Sequence, residues 1–538
     1  MPSSLWLIPF DAEPDPGGSV NVPYKSHGAQ VSAVNEARSH CRKLLARHPS
    51  QQNLNNDRAA ARTAAIQRHM SSDALSDEAS VQFKEGGCLR TYVLNRPKKL
   101  NVLNREMLDK LRPKIEEWSR QDLVGVVAGI GAGRAFCAGG DVASVVEDCS
   151  KPETLPHAIE FFQREFEMDY ILAAMPKPYI AVMDGITMGG GVGLSVNASF
   201  RIATENTSFA MPETKIGYCP DVGASFFLSR VDGEIGTYLG LTSDTLSGRA
   251  VFEHGFATHF VPSRRIPGLM DRISSLQNPT YQQIDALIEE HSEDVIPSQM
   301  TSSLVGNIRI ALDSAFKHKS VEKIIADLTK FSKESEHEDV RQWAAKTLES
   351  LHLRSPTSLK VALAAIRSGK YMTILEALQM ELNIATAFCR GEVSKDFSEG
   401  VTKVVVEKLR DVRPNWQPST INEVSDEFIQ KSFFPKLNAD DKTSPRLNVP
   451  QWLADAEHKV QNPMIYGLPT EQEIGKLVLG SHKSSGSTVL TLDELIAKLE
   501  EQKKGKSGVR AKVTEVVQRK CTTQEDKQSG KKWLKWIH

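Results

Sequence analysis

No stretch of this 538-residue sequence is apolar for the roughly 20 consecutive residues that a membrane-spanning helix requires. The sequence therefore predicts no membrane partner. Cysteine is scarce and scattered: the seven residues are odd in number, contain no CxxC pair and stand at positions 41, 88, 137, 149, 219, 389 and 521. This pattern argues against a disulfide framework or a zinc site, predicts no metal, and favours a reducing compartment. The formal net charge of −1 argues against a surface that binds polyanions over its whole extent.

Sustained hydrophobic periodicity is missing from residues 1–76, which we assign as a disordered or mitochondrial targeting region. The segment from Ser32 to Ser72 holds seven basic and two acidic residues among many alanines and serines, a composition typical of transit peptides. Three acidic residues between positions 11 and 15 do not fit such a signal. Either the start codon is misassigned or the segment is an ordinary disordered tail. We favour import into the mitochondrial matrix.

Strand and helix patterns alternate over residues 77–274, which predicts an α/β core. Strands are expected at 88–95, 123–130 and 179–183, and a turn is expected at 135–141. Helical spacing relates two sets of apolar residues: Met107, Leu111, Ile115 and Trp118, and Ile159, Phe162, Phe166 and Tyr170.

Residues 275–433 carry mainly helical patterns, and we assign them as a helical region that completes the core. Residues 434–538 are assigned as a linker, polar between Lys436 and Arg446, and a basic C-terminal extension. The last 36 residues hold eleven Lys and Arg against three acids. Two interpretations are open for them: a surface that faces nucleic acid, or the solvated, partly helical tail that we favour.

Three consecutive glycines, Gly189 to Gly191, lie within the sequence GITMGGGVGLS at 185–195, where a helix is expected to begin. Glycine weakens a helix unless a ligand must approach the bare backbone amides. The amide of Gly190 at this helix start is one candidate donor to a substrate oxygen, and the amide of Gly140 in the AGGD turn is the other. Each such donor stabilises the negative oxygen formed in acyl transfer by about 2.7–4 kcal/mol. Two such loops, each following a strand, indicate an oxyanion hole.

Two carboxylates follow these loops in the sequence. Glu213 lies in the segment FAMPET at 209–214, and Asp221 lies in PDVG at 220–223. The structural alternative for both is a turn or helix-capping acid. Because amide donors and acids occur together, we favour a functional role for both.

FCAGGD at 136–141 together with the three segments above resembles the crotonase, or enoyl-CoA hydratase/isomerase, superfamily. Within it the sequence resembles the 3-hydroxyisobutyryl-CoA hydrolase family, from about residue 83 to Trp416. The C-terminal extension is similar to those of fungal members. The resemblance implies an α/β fold, a crotonase-like spiral of ββα units followed by a helical C-terminal region. It also implies a coenzyme A thioester as substrate and no further cofactor.

By residue matching, the resemblance places the oxyanion hole at the amides of Gly140 and Gly190 and the catalytic carboxylate at Glu213. Asp221 matches a second acid, and Glu165 matches an acid that contacts the substrate. The substrate-binding residues implied are therefore Glu165, Gly190, Glu213 and Asp221. For Glu165 the alternative is a solvated helix residue.

Gly193 stands where hydratases of the superfamily carry one of two glutamates that deliver water across a double bond. Without that partner, reversible hydration loses half of its acid–base groups, and hydrolysis fits better. Glu213 could attack the thioester directly or deprotonate water, and the sequence does not separate these routes. Asp221 could orient the nucleophile, protonate the leaving thiolate or hold a substrate hydroxyl.

Three functions remain open. The sequence favours hydrolysis of 3-hydroxyisobutyryl-CoA in valine breakdown. A structural role in the small subunit of the mitochondrial ribosome, alone or in addition, is the second, because family members resemble such a component in fungi and the basic tail could contact rRNA. An enoyl-CoA hydratase or isomerase is the least favoured. Members of the superfamily often form trimers, and the sequence leaves the formation of a homo-oligomer open.

Overall fold

The structure is a computed structural model that describes residues 79–292, 300–409, 412–435, 444–455, 462–480, 489–525 and 530–537. All of these lie in the compact unit that spans residues 77–538. The predicted targeting region at 1–76 and most of the predicted linker at 436–446 lie outside the described residues.

Twelve strands form three sheets among the described residues. They are β1 Val81–Gly86, β2 Leu89–Leu94, β3 Val126–Gly131, β4 Ala135–Cys137, β5 Tyr179–Met183, β6 Ile186–Met188, β7 Phe200–Ala203, β8 Ser208–Ala210, β9 Thr245–Ser247, β10 His259–Phe260, β11 Cys521–Glu525 and β12 Lys532–Trp536. A six-stranded sheet has the order β1-β2-β3-β5-β7-β10, and only its β1–β2 pair is antiparallel. A four-stranded sheet has the order β4-β6-β8-β9, and β11 pairs with β12 alone.

The chain passes from one large sheet to the other at every turn of the core. Strand β3 of the six-stranded sheet leads into β4 of the four-stranded sheet, β5 leads into β6, and β7 leads into β8. The first two of these strand pairs are followed by helix before the chain returns to the six-stranded sheet. This alternation is the spiral of ββα units predicted from the resemblance, and the fold class is confirmed.

Twenty α-helices are described. They are α1 Arg105–Arg120, α2 Val142–Cys149, α3 Leu155–Ala173, α4 Gly190–Val196, α5 Ala224–Leu228, α6 Ile235–Thr242, α7 Arg249–Glu253, α8 Ile266–Ser274, α9 Tyr281–His291, α10 Gly306–Phe316, α11 Val321–Glu334, α12 Glu338–His352, α13 Pro356–Gly369, α14 Ile374–Arg390, α15 Asp396–Gly400, α16 Asp426–Phe433, α17 Gln451–Ala454, α18 Glu471–Val478, α19 Leu492–Gln502 and α20 Val509–Lys520. None of the helices in the described part of the chain has the length and apolar content needed to cross a membrane.

Local sequence explains where several of these helices begin. The side chain of Asn104 accepts a hydrogen bond from the Met107 amide at the start of α1, and Thr373 forms a reciprocal capping box with Glu376 at the start of α14. The predicted apolar face of α1 is fully buried, with Trp118 among its largest side chains. Buried apolar faces of this kind supply most of the helical stability in a folded protein.

Three expectations differ from the structure. The strand expected from residue 123 begins at Val126, because Leu123 lies in a turn and is 82% exposed. The turn expected at 135–141 opens with strand β4. The solvated tail favoured for the last 36 residues is wrong for much of its length, because Lys506, Lys512 and Arg519 are buried. Lys506 pairs with Glu289, Lys512 pairs with Asp232, and Arg519 pairs with Glu471 within the extension. Composition alone does not show these partners.

Candidate functional site

Three neighbouring parallel strands of the four-stranded sheet deliver three loops to one edge. Residue Thr187 of β6 pairs with Cys137 of β4 on one side and with Phe209 of β8 on the other. Because parallel strands end at the same edge, the segments that follow them meet there. Gly140 follows β4, Gly190 follows β6, and Glu213 follows β8.

The backbone amides of Gly140 and Gly190 are directed away from local partners. Leu103 forms a parallel bridge with Gly140, in which Leu103 N donates to Gly139 O and Asp141 N donates to Leu103 O, both over 2.8 Å. In a parallel bridge of this kind the amide of Gly140 itself points away from Leu103. Gly190 is the first residue of α4, so its amide has no acceptor within the helix.

The two glycine loops and Glu213 lie in direct proximity. Distances from the point where a Cβ atom would lie on each glycine, called here its Cβ position, show this. The Cβ position of Gly139 is 4.0 Å from the amide nitrogen of Gly190. The Cβ position of Gly189 is 3.4 Å from Gly139 Cα and 3.1 Å from Glu213 Oε1. Gly189 also has a φ of +48°, a value that side chains disfavour, so the turn into α4 requires glycine.

Glu165 enters the same space from helix α3, where it is 2% exposed. Its Oε1 atom lies 3.7 Å from the Cβ position of Gly140 and would overlap a Cβ atom at Gly190. The absence of side chains at these glycines therefore gives the carboxyl group its room. Both Glu165 Oε1 and Glu213 Oε2 are buried without a hydrogen-bond partner in the described chain. Unpaired buried polar atoms of this kind are costly and are typical of functional sites.

Asp221 belongs to the same cluster of acids. Burial and the charges of Glu165 and Glu213 raise the pKa of Asp221 well above its ordinary value. Asp221 is 5% exposed and begins a turn that continues through Val222 and Gly223 into α5. The structure therefore brings Gly140, Glu165, Gly190 and Glu213 into direct proximity. Asp221 lies beside them, since the adjacent Val222 contacts the Gly193 position of α4.

The acids of the cluster hold protons more strongly than free carboxyl groups do. Burial raises the pKa of Glu165 to about 8. Burial also raises the pKa of Glu213 to about 8, with a further increase from the charge of Glu165 and an opposing backbone hydrogen bond. Like charges in a buried space cannot all ionise together, so the cluster shares protons near neutral pH. Such carboxyl groups can both accept and donate protons during a reaction.

Two acids of this region were missed by the sequence analysis. Asp169 lies one turn after Glu165 on α3, is fully buried, and has two oxygens without a partner in the described chain. These oxygens lie 2.6 and 2.8 Å from the Cβ position of Gly193. A carboxyl group from α3 thus occupies the space that a side chain at 193 would need. The spacing from Glu165 is the signal that could have indicated Asp169.

The second missed acid, Glu381 on helix α14, has no signal in its local sequence and lies 160 residues from Asp221 in the chain.

Among the described residues no group of three or more His, Cys, Asp and Glu side chains has the arrangement of a metal site. Two cavities, of 540 and 420 Å³, lie away from the cluster, the first beside Met372 and Phe433 and the second beside Arg112 and Arg164. The acids themselves are closed to solvent.

The fold and the site together define a class of protein built on an α/β spiral. In this class, two glycine backbone amides and a set of carboxyl groups can surround one carbonyl group. A family model described as enoyl-CoA hydratase/isomerase matches residues 89–433. The chain belongs to this enoyl-CoA hydratase/isomerase family.

Individual relatives carry different names. The small ribosomal subunit protein mS47 of Neurospora crassa is 38% identical over 441 residues, which cover 80% of this chain and 83% of that protein. The mitochondrial 3-hydroxyisobutyryl-CoA hydrolase of Gallus gallus is 37% identical over 382 residues, which cover 70% of this chain and 95% of the hydrolase. The crystal structure of a carnitinyl-CoA dehydratase from Mycobacterium thermoresistibile matches with a TM-score of 0.59 at 29% identity. That match covers 69% of this chain and 99% of the dehydratase.

Proposed function

We propose that this chain hydrolyses acyl-CoA thioesters and that its substrate is 3-hydroxyisobutyryl-CoA, an intermediate of valine breakdown. The products are 3-hydroxyisobutyrate and free coenzyme A. The observation that carries the proposal is the convergence of the Gly140 and Gly190 loops on Glu213. The similarity to hydrolases over 95% of the length of one relative supports the substrate. The same names support a mitochondrial location, and we propose the matrix.

In the proposed reaction the thioester carbonyl oxygen accepts hydrogen bonds from the amides of Gly140 and Gly190. These donors stabilise the negative charge that develops on the oxygen when a nucleophile adds to the carbonyl carbon. The C–S bond then breaks, and the coenzyme A thiolate leaves and takes up a proton. No cofactor beyond the coenzyme A of the substrate takes part.

Glu213 supplies the nucleophile by one of two routes. It removes a proton from a water molecule that attacks the carbonyl carbon, or it attacks that carbon itself and forms a mixed anhydride that water then hydrolyses. Both routes need the ionised carboxylate, so its raised pKa favours activity on the alkaline side of neutrality. Asp221 protonates the leaving thiolate or holds the substrate hydroxyl, and Glu165 contacts the acyl group.

The substitution Glu213→Gln tests the proposal, because the amide keeps the size of the side chain and removes its basicity. We expect thiol release from 3-hydroxyisobutyryl-CoA to fall by about 10²-fold or more. Glu147→Gln, at an exposed residue of α2, is the matched control and should retain parental turnover. Unchanged turnover in the Glu213 variant would contradict the proposal.

A second role, in the small subunit of the mitochondrial ribosome, is favoured by the relative named mS47. Its match spans 441 residues, against 382 for the hydrolase of Gallus gallus, so the likeness extends over more of this chain. Lys531, Lys532 and Lys535 are exposed in the β11–β12 region and could contact phosphates of rRNA.

Sedimentation of a mitochondrial extract tests the ribosomal role. We expect part of the protein to co-sediment with the small subunit, and we expect ribonuclease treatment to abolish this co-sedimentation. Recovery of all the protein in the free fraction would contradict this role and would leave the hydrolase proposal untouched.

A further inference from the structure

The turn that carries Asp221 has a backbone conformation that its sequence does not favour. Val222 has a φ of +57° and the following Gly223 has a φ of +83°. A β-branched residue in the left-handed region is strained, because its side chain crowds the neighbouring carbonyl group. Such a turn persists only when its surroundings hold it in place.

Glu381 of helix α14 holds this turn through three hydrogen bonds. The amide of Gly223 donates to Glu381 Oε2 over 2.7 Å, and the amide of Ser225 donates to Glu381 Oε1 over 2.9 Å. The hydroxyl of Ser225 also donates to Oε1, over 2.5 Å. Both oxygens of one side chain thus bind the residues that directly follow Asp221. Hydrogen bonds to an ionised carboxylate are roughly twice as strong as those between neutral groups.

The surroundings of Glu381 do not otherwise favour a carboxylate. The residue is 1% exposed, and in the part of the chain that the structure describes its donors are two backbone amides and one hydroxyl rather than a Lys or Arg. Burial raises the pKa of Glu381 to about 7, although the three donors oppose the increase. The charge of Glu381 also raises the pKa values of Asp169 and Asp221. Because burying an acid without a cation lowers the stability of the fold, the presence of Glu381 at this position requires an explanation.

We propose that Glu381 is a positioning residue for hydrolysis, which holds the turn from Asp221 to Ser225 so that the Asp221 carboxyl group stays buried in the cluster with Glu165 and Glu213. The inference rests on the proposed thioesterase function. The inference gives the helical region that follows the α/β spiral a part in the site. Helix α14 of this region holds the turn that carries Asp221 of the spiral.

Glu381→Gln tests this role. A glutamine amide has one oxygen and one NH₂ group, so it can accept from one side of the turn but sets a donor against a donor on the other. We expect kcat for 3-hydroxyisobutyryl-CoA to fall about 10-fold or more and KM to change less than about 3-fold, because the lost effect acts in the transition state. Hydrogen exchange at the amides of Gly223 and Ser225 should accelerate as well.

Glu376→Gln is the matched control, since it makes the same change on the same helix at an exposed residue, and Gln also completes a capping box. This control should keep the parental kcat and the parental exchange at Gly223 and Ser225. Should Glu381→Gln fail to fold, Ser225→Ala replaces it. That variant removes one donor and leaves Glu381 in place, and its kcat should fall about 3-fold.

The outcomes separate the two proposals. A parental protein that releases no thiol overturns the hydrolase proposal and the positioning role with it. A parental protein that is active, with a folded Glu381→Gln variant at parental kcat and unchanged exchange, overturns the positioning role alone. Faster exchange at Gly223 and Ser225 without a loss of kcat shows that the turn is held for stability only, and also overturns the inference.

Discussion

At the scale of single residues, glycine positions determine how closely carboxyl groups approach the backbone. Glu165 takes the space beside Gly190, and Asp169 takes the space beside Gly193. Neither acid could lie there if these helical residues carried side chains. The glycines that interrupt helix propensity in α4 thus make room for groups that come from α3.

Gly190→Ala should reduce kcat/KM for thioester hydrolysis by about 10²-fold, because a methyl group would displace Glu165 and the carbonyl oxygen from the amide. Kinetics of thiol release provide the measurement. Gly268→Ala is the matched control, since nothing lies within 4 Å of its Cβ position in α8. That variant should retain full activity and gain about 0.5–1 kcal/mol of stability. Equal kinetics for both variants would argue against the role of Gly190.

Glu213→Gln should stabilise the protein at pH 8 and leave its stability nearly unchanged at pH 4.5. The folded-state pKa of Glu213 is about 8, above the unfolded value of 4.5, so the parental protein loses stability as the pH rises through this window. Glutamine does not ionise and avoids that loss. We expect the Tm of the variant to exceed the parental Tm by about 1–4 °C at pH 8, as measured by calorimetry. A lower Tm than the parental value at pH 8 would contradict the inferred burial cost.

At the scale of elements, helix α14 begins at a local capping signal and carries a side chain that contacts the turn after Asp221. Its first turn is closed by the capping box of Thr373 and Glu376, its buried face packs in the core, and Glu381 holds the turn before α5. In the four-stranded sheet, strands β4, β6 and β8 are neighbours, so the three loops that follow them lie side by side. Each element therefore contributes one part of the site.

Thr373→Ala should lower the free energy of unfolding by about 1 kcal/mol, because it removes the side-chain acceptor for the Glu376 amide. Urea denaturation measures the effect. Thr373→Ser keeps a hydroxyl at the cap and should restore most of the lost stability. A similar loss in both variants would show that packing of the threonine methyl group, and not capping, matters there.

At the scale of the whole molecule, the C-terminal extension is joined to the core by buried ion pairs. Glu471 of α18 accepts hydrogen bonds from Arg309 of the helical region, over 2.8 Å, and from Arg519 of α20, over 2.5 Å. Burial opposes the charge of Glu471, but the nearby cations outweigh it and lower the pKa to about 2. A hydrogen bond from a core side chain adds to this attachment, since the guanidinium of Arg201 donates to Pro463 O over 2.6 Å.

Glu471→Gln should destabilise the protein by about 1–3 kcal/mol, because Arg309 and Arg519 each lose one buried hydrogen bond to a charged group while their pairs with Asp313 and Glu515 remain. Chemical denaturation and limited proteolysis of the extension are the measurements. Glu290→Gln serves as the control, since Glu290 and its partner Arg272 are both more than half exposed. That loss should stay at or below about 1 kcal/mol. An equally small effect at Glu471 would argue against a tightly joined extension.

Much of the fold could be predicted because its signals are local. Strand β5 begins and ends at the predicted residues, and the apolar face of α1 was identified from its spacing. The glycine loops and Glu213 could be named because short motifs carry them. Glu381 could not, since its importance depends on distances across the fold. Asp169 was missed although its spacing from Glu165 on one helix is a signal in the sequence. The buried lysines and arginines of the extension were misjudged for the same reason as Glu381: composition shows charge but not the partner that it meets.

The sequence by itself determined the alternation of strands and helices in the core, the family and the positions where a glycine amide or an acid is available, because periodicity and glycine act within a few residues. Only the tertiary structure decided which acids share one buried space, which glycine gives room to which carboxyl group, and where the extension binds. Those relations arise from packing between segments that are distant in the chain, by 25 residues for Glu165 and Gly190 and by 160 for Asp221 and Glu381. A buried charge acquires its pKa and its cost only when the surrounding groups are in place.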